Sequence, residues 1–318
     1  MDKIDLIIVG GTGYVGRNVI NQVLSKFSSQ YNIRALVRRP NVFKSADITE
    51  LQGELPDNIP EGLFTSSPNI LIHLGTKNID NDNSGFFDVN VRGTINLMDA
   101  LPPSTLGVIY SSSFSVYGQE SLHMVRETAP LNPQTPLALS RSQAEEAILN
   151  SARKMLRFVL RPRFIIGKDD TATLPRQIKM YQKGISIGSG NQEATYIDVV
   201  DYADIILELA SYISKHPDEK KAKALNVGYD NPLSLRQLHQ VFSEVLGHKR
   251  QIYIPISEKL VNVVKKLKFG PVFNLVTMLE LGALSHCADT TEVKKYVNAE
   301  VIEKNPYEVI KNILKCGQ

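Results

Sequence analysis

Three glycines near the start of the chain, Gly10, Gly13 and Gly16, follow one another at intervals of three residues. They come after the apolar run from Ile4 to Val9, which predicts a buried parallel strand. Apolar residues at helical spacing follow, from Val15 to Leu24. Glycines at such a turn let the backbone approach a pyrophosphate, and the free N–H groups of a helix N-terminus favour its negative charge. The spacing therefore predicts a dinucleotide-binding turn rather than an ordinary connection between a strand and a helix.

A second group of residues suited to chemistry is the run of hydroxyls Ser111, Ser112 and Ser113, which follows the predicted strand Gly107–Tyr110. Ligands of open α/β sheets bind at the carboxyl ends of the strands. Hydroxyl groups in this position can donate hydrogen bonds to a substrate oxygen. The position favours a functional loop over an ordinary serine-rich connection.

Arg38 follows the second predicted strand, Ile33–Val37. In a dinucleotide site, an acidic residue at this strand end accepts hydrogen bonds from the ribose 2′-hydroxyl, whereas an arginine suits a 2′-phosphate. We therefore expect NADP as the cofactor, with NAD as the second choice. A solvated cation at the end of a strand is the alternative interpretation of Arg38.

The elements that position these residues alternate between strands and helices, which predicts an α/β fold with a doubly wound, Rossmann-type parallel sheet. A buried strand is predicted over Ile70–Thr76, and it ends in two small residues beside which a cofactor can lie. His73 within this strand is expected to be a hydrogen-bonded core residue. A helix is predicted from Phe86 to Ala100, and its buried amide Asn90 needs a partner on a neighbouring element.

Several motifs extend over almost the whole chain in a fixed order. They are Gly10-Gly11-Thr12-Gly13-Tyr14-Val15-Gly16, His73-Leu74-Gly75-Thr76, Asn90-Val91-Arg92-Gly93-Thr94-Ile95-Asn96-Leu97, Ser111-Ser112-Ser113-Phe114-Ser115-Val116-Tyr117-Gly118, Leu160-Arg161-Pro162-Arg163-Phe164-Ile165-Ile166-Gly167, Tyr196-Ile197-Asp198-Val199-Val200-Asp201-Tyr202-Ala203 and Asn226-Val227-Gly228. Together they resemble the motifs of extended short-chain dehydrogenases/reductases, the NAD-dependent epimerase/dehydratase superfamily. The run from Leu160 to Arg176 is more similar to the 3β-hydroxysteroid-dehydrogenase-like branch than to the sugar-nucleotide epimerases.

The resemblance implies an enzyme that binds a dinucleotide and a small-molecule substrate. It implies that Ser113 orients the substrate oxygen. Besides Arg38, the cofactor contacts that we expect are Gly10, Thr12, Gly13, Tyr14, Val15, Gly16, Leu74, Gly75, Thr76, Asn90, Ser111 and Arg141. Members of the family often dimerise through the helices of a four-helix bundle, so a homodimer is one expectation.

The family pattern breaks where a catalytic Tyr-x-x-x-Lys is expected on the helix after the serines. Leu137 stands in place of the tyrosine, the family's general acid/base, and Arg141 in place of the lysine that holds the ribose. Leucine cannot transfer a proton, whereas arginine keeps its positive charge at any ordinary pH. The literal pair Tyr307 and Lys311 follows neither a glycine turn nor a serine strand, so we interpret it as chance.

Three accounts of this departure remain open. In the first, the protein is a redox enzyme that uses another acid, and Tyr117, Ser113 or a water molecule is the candidate. In the second, the same scaffold catalyses a changed reaction that polarises a carbonyl without the usual proton relay. In the third, the protein is a catalytically silent nucleotide-binding sensor or scaffold. General acid/base catalysis raises a reaction rate by about 10²–10⁴-fold. Without the tyrosine, the protein is therefore a weak enzyme unless another group replaces it.

We predict an NAD(P)-dependent oxidoreductase or epimerase-like enzyme acting on a secondary alcohol or ketone, with Ser113, Tyr117 and Arg141 as the catalytic candidates. A nucleotide-sugar epimerase is the runner-up enzyme. We expect a dinucleotide-binding domain over residues 1–167, to which residues 195–228 return. A small substrate-binding lobe is expected over residues 168–194 and 229–318.

Composition sets the remaining bounds. The 318 residues carry a formal net charge of +3 and no basic block with interleaved aromatics, so we expect no nucleic-acid partner. Two cysteines far apart suggest neither a disulfide framework nor a metal site, and they are compatible with a reducing cytoplasm. No apolar run is long enough to span a bilayer.

The second half of the chain leaves several interpretations open. Arg163 and Arg176 are candidates for contact with an anionic substrate, with a surface salt bridge as the alternative. The glycine-rich run Gly184–Gly190 predicts a turn-rich connection, and Gln251–Ile254 predicts a strand. A basic amphipathic helix is predicted before the apolar stretch Val272–Leu284, from Lys259, Leu260, Val264, Lys265, Lys266, Leu267 and Lys268. This helix either packs on its own lobe or touches a membrane surface. If it covers the substrate cleft, its apolar character favours a hydrophobic substrate.

Overall fold

The computed structural model describes residues 3–78, 85–256 and 283–316. The strands within these ranges are β1 Ile4–Val9, β2 Tyr31–Val37, β3 Ile48–Gln52, β4 Asn69–His73, β5 Thr105–Ser111, β6 Leu122–Val125, β7 Leu156–Pro162, β8 Phe164–Ile166, β9 Ile185–Ile187, β10 Glu193–Ala194, β11 Tyr196–Asp198, β12 Ala222–Val227, β13 Leu233–Ser234, β14 Ile252–Ile254 and β15 His286–Ala288. The α-helices are α1 Tyr14–Gln22, α2 Gly93–Ala100, α3 Pro136–Leu149, α4 Leu174–Gln182, α5 Val199–Lys215, α6 Leu235–Leu246, α7 Ala299–Ile302 and α8 Pro306–Cys316. Two π-helical segments, Val23–Phe27 and Phe87–Arg92, continue α1 and precede α2, and short 3₁₀ turns cover Glu61–Leu63, Phe114–Tyr117 and Val293–Lys295.

The main sheet has seven strands in the order β12–β7–β5–β4–β1–β2–β3, and all its neighbouring strands run parallel. The order reverses at β1, since β2 and β3 lie on one side of it and β4 and β5 on the other. Open sheets of this kind bind ligands in the crevice at the reversal, beyond the carboxyl ends of the strands. The predicted doubly wound, Rossmann-type α/β fold is confirmed.

Helices cover both faces of this sheet. Successive residues of β1 point to opposite sides, so that Leu6 and Ile8 join the core under α1 and α5, whereas Ile7 and Val9 join the core under α2 and α3. A strand covered on both faces needs apolar residues at every position, which explains the near-continuous hydrophobic run in the sequence. This double cover fixes the strand ends that carry the glycine turn and the serines.

Three smaller sheets lie beside the main one. The first has four strands in the order β13–β10–β15–β6, and the other two are the ladders β11–β8 and β14–β9. Strand β6 comes from within residues 1–167, the range assigned to the dinucleotide domain, and it pairs with β15. The domain boundaries themselves stay a prediction.

The local predictions differ from the structure at two connections. The strand expected over Ile70–Thr76 ends at His73, because the next residues turn under the glycine loop, where the N–H of Leu74 donates to the carbonyl of Val9 at 2.8 Å. The run Gly184–Gly190, expected as turns, contains β9, because these three residues pair in parallel with β14. In contrast, Ser234 is a favoured N-cap residue, and α6 begins directly after it with a capping box.

The predicted basic amphipathic helix and most of the apolar stretch after it fall on residues 257–282, outside the described residues. In the ranges that the structure does describe, none of the helices combines the length and the apolar character that crossing a membrane requires.

Candidate functional site

The glycine turn between β1 and α1 has no room for side chains. Gly10 has a φ of +88°, and a Cβ there would lie 2.5 Å from the backbone nitrogen of Gly75. A Cβ on Gly16 would collide with the backbone of Gly10. Gly13, the N-cap of α1, donates to the carbonyl of Gly10 at 3.0 Å, and no side chain caps the helix. The first N–H groups of α1 therefore face a bare backbone turn, which fits the pyrophosphate of a dinucleotide.

The other predicted residues of this turn lie around the same helix start. The carbonyl of Thr12 accepts from Nε of Arg17 at 2.9 Å, and Val15 packs against the core. The Tyr14 hydroxyl is buried and has no hydrogen-bond partner in the part of the chain that the structure describes. Burial raises its pKa, and the nearby carboxylates of Asp170 and Asp198 raise it further. An unsatisfied buried hydroxyl beside the turn is consistent with a site that a ligand completes.

Gly167 connects this helix start to the second half of the chain. Its φ is +143°, and a Cβ there would lie 3.0 Å from both the Tyr14 hydroxyl and the Asp198 carboxylate. Gly167 directly follows β8, whose first residue is Phe164. The parallel pairing of β8 with β11 therefore bridges the glycine turn and the lobe beyond it.

The end of β4 is held by Asn90, as predicted for a buried amide. Its Oδ1 accepts from the N–H of Lys77 at 2.7 Å, and its Nδ2 donates to the Lys77 carbonyl at 3.1 Å and to Ser140 Oγ at 3.0 Å. Asn90 thus ties the segment with Leu74, Gly75 and Thr76 to α3. Its assignment as a cofactor contact stays a prediction.

His73 is the core residue that its apolar strand predicts. Its Nε2 lies 2.9 Å from Thr94 Oγ1, and its ring lies 5.1 Å from that of Tyr110. Burial lowers the pKa of His73 to about 3, so the imidazole is neutral at ordinary pH. It has no access to a substrate from the interior of the sheet.

The three serines after β5 have different surroundings. Ser113 Oγ accepts from the N–H of Ser115 at 3.2 Å and caps a 3₁₀ turn, which leaves its own proton for a ligand. Ser112 is 3% exposed and its Oγ has no partner. Ser111 Oγ lies 2.7 Å from the hydroxyl of Tyr202 on α5. The loop thus has hydroxyl groups that can still donate hydrogen bonds to a ligand.

Leu137 and Arg141 lie on the first turns of α3, which Thr135 caps by accepting from the N–H of Ala138 at 3.1 Å. Arg141 reaches from this helix to the serine loop, where its Nη1 donates to the Ser112 carbonyl at 3.3 Å. Its Nη2 donates to Asn78, and its Nε is buried with no partner among the described residues. Burial lowers the pKa of Arg141, and the nearby phenols of Tyr110 and Tyr202 oppose that change.

Arg141 therefore brings a positive charge and a free N–H to the ends of β4 and β5, where a lysine would hold the ribose in the family pattern. The guanidinium has no ion pair with any described residue, although Glu145 acts on it from one turn further along the helix. An unsatisfied buried donor at this place fits a cofactor hydroxyl. Leu137 supplies no group that transfers a proton.

Tyr117 lies in a different network, away from the unsatisfied groups. Its hydroxyl donates to Asn226 Oδ1 at 2.9 Å and accepts from Arg161 Nη1 at 2.8 Å. Arg161 in turn forms a buried ion pair with Glu145, with Nε to Oε2 at 3.0 Å. Burial raises the pKa of Tyr117 to about 12, against the lowering effect of Arg161. These contacts favour a structural role over the catalytic one that the sequence suggested.

Arg38 is exposed at the end of β2, and it has no hydrogen bond or ion pair with any residue that the structure describes. Its side chain is free to meet a ligand, but the same geometry fits a solvated cation. The preference for a 2′-phosphate is thus left as a proposal.

A cavity of about 180 Å³ lies in the lobe beyond β8 and β11. Its walls are largely apolar, with Phe164, Met180 and Leu233 among them, and polar groups come from Gln177 and His239. Gln177 donates to the Tyr196 hydroxyl at 2.9 Å, and its Oε1 is buried with no partner. A partly apolar cavity with a few unsatisfied polar atoms is typical of a small-molecule site.

The two arginines suggested for an anionic substrate differ in position. Arg176 lines the cavity, is exposed and forms no ion pair with the described residues. Arg163 lies 3.1 Å from Nδ1 of His286 and stacks over Phe164 at 4.5 Å. For Arg176, the described residues therefore do not include a partner for the surface salt bridge that was the alternative interpretation.

The literal Tyr-x-x-x-Lys pair belongs to a surface contact. Tyr307 donates to Glu244 Oε1 at 2.5 Å, and Lys311 donates to Glu244 Oε2 at 2.7 Å. The pair thus fastens α8 to α6. Its interpretation as chance agrees with this position.

Two residues that sequence reasoning missed lie beside Arg141. They are Tyr110, whose buried hydroxyl has no partner, and Tyr202, which contacts Ser111. Tyr202 belongs to one of the motifs that carry the family resemblance, so the sequence alone marks it as a residue of interest. Its partnership with a serine 91 residues earlier is not visible in the sequence.

Comparison with known proteins adds to this geometry. A model of the NAD dependent epimerase/dehydratase family matches residues 6–228, which include the glycine turn, the serine loop and α3. The chain belongs to this family. The predicted membership is therefore confirmed, and the family and its relatives are NAD-dependent dehydrogenases and epimerases.

Individual relatives are distant. The decarboxylating sterol-4-alpha-carboxylate 3-dehydrogenase of Saccharomyces cerevisiae is 28% identical over 213 residues, which are 60% of this chain and 60% of that enzyme. The UDP-glucose 4-epimerase of Streptococcus mutans is 24% identical over 280 residues, 77% of this chain and 82% of that enzyme. Among solved structures, the UDP-glucuronic acid 4-epimerase from Bacillus cereus in complex with NAD matches with a TM-score of 0.73 and 13% identity, covering 98% of this chain and 96% of that one. At this identity the structural match supports the fold alone.

Proposed function

We propose that this member of the epimerase/dehydratase family is an NADP-dependent oxidoreductase acting on a secondary alcohol or ketone of a small, largely apolar substrate. The observation that carries the proposal is Arg141, which spans from α3 to the Ser112 carbonyl and keeps a buried, unsatisfied Nε. A permanently charged donor with a free N–H at the ends of β4 and β5 suits a ribose hydroxyl. We therefore infer that the cofactor-holding half of the family's catalytic pair is retained.

The residues present fit a dinucleotide. The bare turn at Gly10, Gly13 and Gly16 would hold the pyrophosphate, Arg141 the ribose of the nicotinamide half, and Arg38 a 2′-phosphate. When bound, the nicotinamide ring supplies or accepts a hydride. Ser113 would donate to the substrate oxygen, because its acceptor lone pair is used by Ser115 and its proton is not.

Reduction of a ketone also needs a proton on the carbonyl oxygen, which Leu137 cannot supply. We infer that the Ser111–Tyr202 pair provides it: Ser111 gives its proton to the carbonyl oxygen, the Tyr202 phenol replaces that proton, and the Tyr202 phenolate takes a proton back from solvent through Ser111 after the product leaves. Burial raises the pKa of Tyr202, so the phenol is protonated at neutral pH, while Ser111 and Arg141 act in the opposite direction. Ser113 and a water molecule remain the alternative donors.

The substrate class follows from the cavity. A volume of about 180 Å³ with mostly apolar walls favours a compact apolar skeleton, and the walls carry charges of both signs, from Arg176 and Glu193. Nothing in these residues selects one compound.

The proposal is tested by a screen of ketones and secondary alcohols with NADPH and NADP, followed at the nicotinamide absorbance. On any substrate found, Ser113→Ala should lower kcat by about 10²-fold, because the substrate oxygen loses its donor. Ser115→Ala is the matched control, because it removes a hydroxyl from the same loop and keeps the backbone N–H that Ser113 accepts. Unchanged turnover in Ser113→Ala would remove the assigned role.

A catalytically silent sensor or scaffold is the second candidate, and Leu137 is the observation that favours it. The double variant Leu137→Tyr with Arg141→Lys rebuilds the family pair. If the native protein shows no turnover and this variant does, the family chemistry has been lost and the scaffold is favoured. A nucleotide-sugar epimerase remains the runner-up enzyme, and cofactor that stays bound and unreduced through turnover would favour it.

We further propose a homodimer through α2 and α3 in a cytoplasmic protein. Three apolar side chains on these helical segments are exposed, namely Phe87 at 37%, Ile95 at 41% and Leu139 at 39%. Apolar residues on neighbouring helices are typical of a subunit interface. Ile95→Glu should convert a dimer into a monomer in sedimentation, whereas a monomeric native protein would contradict the interface.

A further inference from the structure

The ladder of β9 and β14 presents an unusual outer face. The two strands are parallel, and Ile252 pairs with Ile185 and Ile254 with Ile187. Paired and alternate residues point to the same side of a ladder, so these four side chains lie on one side of it. Ile187 is partly buried against Leu284, and the other three form an exposed surface, which we call the isoleucine face. Ile185 is 53% exposed, Ile252 54% and Ile254 47%.

The opposite side of the same ladder carries the polar side chains. Ser186 is 1% exposed and lines the lobe cavity. Tyr253 contacts Nδ1 of His239 at 2.9 Å, and the guanidinium of Arg236 lies 4.2 Å from its ring. The usual arrangement of a half-buried ladder, with apolar residues inside and polar residues outside, is thus inverted. Contiguous apolar surface on a folded protein often marks an interaction site.

Cations lie where the two strands of this ladder begin. Lys183 precedes β9, and Lys249 and Arg250 precede β14; all three are exposed. The two strand starts adjoin each other, because the N–H of Ile252 donates to the Gly184 carbonyl at 2.9 Å. We call these three cations the basic rim. None of them forms an ion pair with a described residue, and the sequence has no Asp or Glu over residues 171–192 or 245–257.

We propose that the isoleucine face and its basic rim dock on an anionic lipid bilayer. Apolar side chains on a surface insert at the boundary between headgroups and acyl chains, and lysine or arginine beside them adds attraction to anionic headgroups. The combination of apolar face and basic rim fits that surface in both respects. A second copy of this chain fits it less well, because association of two such faces would bring like charges together.

A nucleic acid is also a weaker match, since the isoleucines offer no stacking surface for bases. The docking surface lies on the outside of the ladder whose inner side lines the lobe cavity. It is independent of the proposed oxidoreduction: the face contacts the bilayer whether or not the protein turns over a substrate. Failure of either proposal therefore leaves the other standing.

The test is flotation of the full chain with vesicles of pure phosphatidylglycerol and, in parallel, of pure phosphatidylcholine. We expect the protein to float with phosphatidylglycerol, to bind phosphatidylcholine at least about tenfold more weakly, and to be released as salt is raised. Absence of flotation with phosphatidylglycerol, or equal binding to both lipids, would overturn the proposal.

Two double variants separate the contributions of the face and the rim. Ile185→Ser with Ile252→Ser should weaken vesicle binding about tenfold, and Lys249→Glu with Arg250→Glu at least about tenfold. Leu131→Ser and Lys220→Glu are matched controls, because they make the same kinds of change at exposed positions elsewhere and should leave binding unchanged.

Three results would contradict the assignment of this face. The first is vesicle binding that survives both double variants. The second is concentration-dependent self-association in lipid-free buffer that Ile185→Ser with Ile252→Ser abolishes, since this assigns the face to a second copy. The third is binding of a random-sequence DNA that exceeds binding to phosphatidylglycerol. Near-native circular dichroism of each variant shows that lost binding reflects the surface.

Discussion

Arg141 donates from its Nη1 to the carbonyl oxygen of Ser112 across 3.3 Å, and this bond joins α3 to the end of β5. The family's usual lysine would place an ammonium here, whereas arginine provides a planar fork with more donors. Since one of those donors, Nε, is buried and unsatisfied, the position retains capacity for a ligand. The neighbouring Leu137 has lost the proton-transferring group, so cofactor binding and proton transfer are separated in this chain.

Replacing Arg141 tests its assignment as a cofactor-holding residue. Arg141→Met should weaken dinucleotide binding about tenfold or more, because a hydrogen bond from a charged donor contributes about 1.5–3 kcal/mol. Arg141→Lys should retain most of the affinity. Calorimetric titration measures both. Arg153→Met, at a half-buried arginine that bonds the carbonyl of Asp99, is the control and should bind as the native protein does. Unchanged affinity in Arg141→Met would contradict the assignment.

Tyr202→Phe tests the proposed proton route. The variant keeps the ring and removes the hydroxyl that contacts Ser111, so reductive kcat should fall by about 10²–10⁴-fold with cofactor affinity unchanged. Turnover should recover in the double variant Tyr202→Phe with Leu137→Tyr, which restores the family's acid. Tyr212→Phe removes another hydroxyl of α5, one that bonds Glu219, and should have no effect on kcat. If Tyr202→Phe keeps the kcat and the solvent isotope effect of the native protein, the proposed proton route is excluded.

Tyr117→Phe should affect stability rather than turnover. Removal of its hydroxyl leaves Asn226 Oδ1 without its buried donor and Arg161 Nη1 with only the long bond to the Glu127 carbonyl at 3.5 Å, at a cost of about 1–3 kcal/mol in the free energy of unfolding. Arg161→Met should cost more, about 3–5 kcal/mol, since it leaves the Glu145 carboxylate buried and unpaired. Urea titration followed by circular dichroism measures both. A large loss of kcat in folded Tyr117→Phe, with stability intact, would restore its catalytic interpretation.

The buried histidines predict how stability depends on pH. Burial lowers the pKa of His73 to about 3 and that of His239 to about 4, both below the ordinary value of 6.5. The unfolded chain therefore binds these protons first, so their contribution to stability is present above pH 6.5 and is lost as the pH falls toward 4. His73→Gln should flatten this slope by about 1–2 kcal/mol between pH 7 and 5. An unchanged slope would mean that His73 is accessible to protons in the folded state.

The fold was predictable where the residue pattern of a segment matches the place of that segment in the tertiary structure. The buried strand from Ile4 to Val9 and the bare turn after it are required by double-sided burial and by a close backbone approach, and both are visible in residue types. The spacing of Ser234 and Gln237 likewise predicts the start of a helix. Such features depend on residues close together in sequence.

Features that depend on distant partners were not predictable. Strand β9 consists of three residues between glycines and exists because β14 pairs with it from far along the chain. The motif makes both Tyr117 and Ser113 catalytic candidates. Only the structure shows that the Tyr117 hydroxyl is already hydrogen-bonded to Arg161 and Asn226. The Ser111–Tyr202 contact also needed the packing of α5 against the sheet. Chemistry at this site is thus set by pairings that no local pattern encodes.

The central claim, a dinucleotide-dependent redox protein with a preference for NADP, is tested most directly by calorimetric titration of the cofactor-free protein with NADPH and NADH in parallel. Arg38 is exposed and unpaired among the described residues, so NADPH should bind at least about tenfold more tightly than NADH, and Arg38→Glu should remove the difference. NADH bound more tightly would contradict the role of Arg38 and favour the epimerase. Binding of neither would contradict the account as a whole.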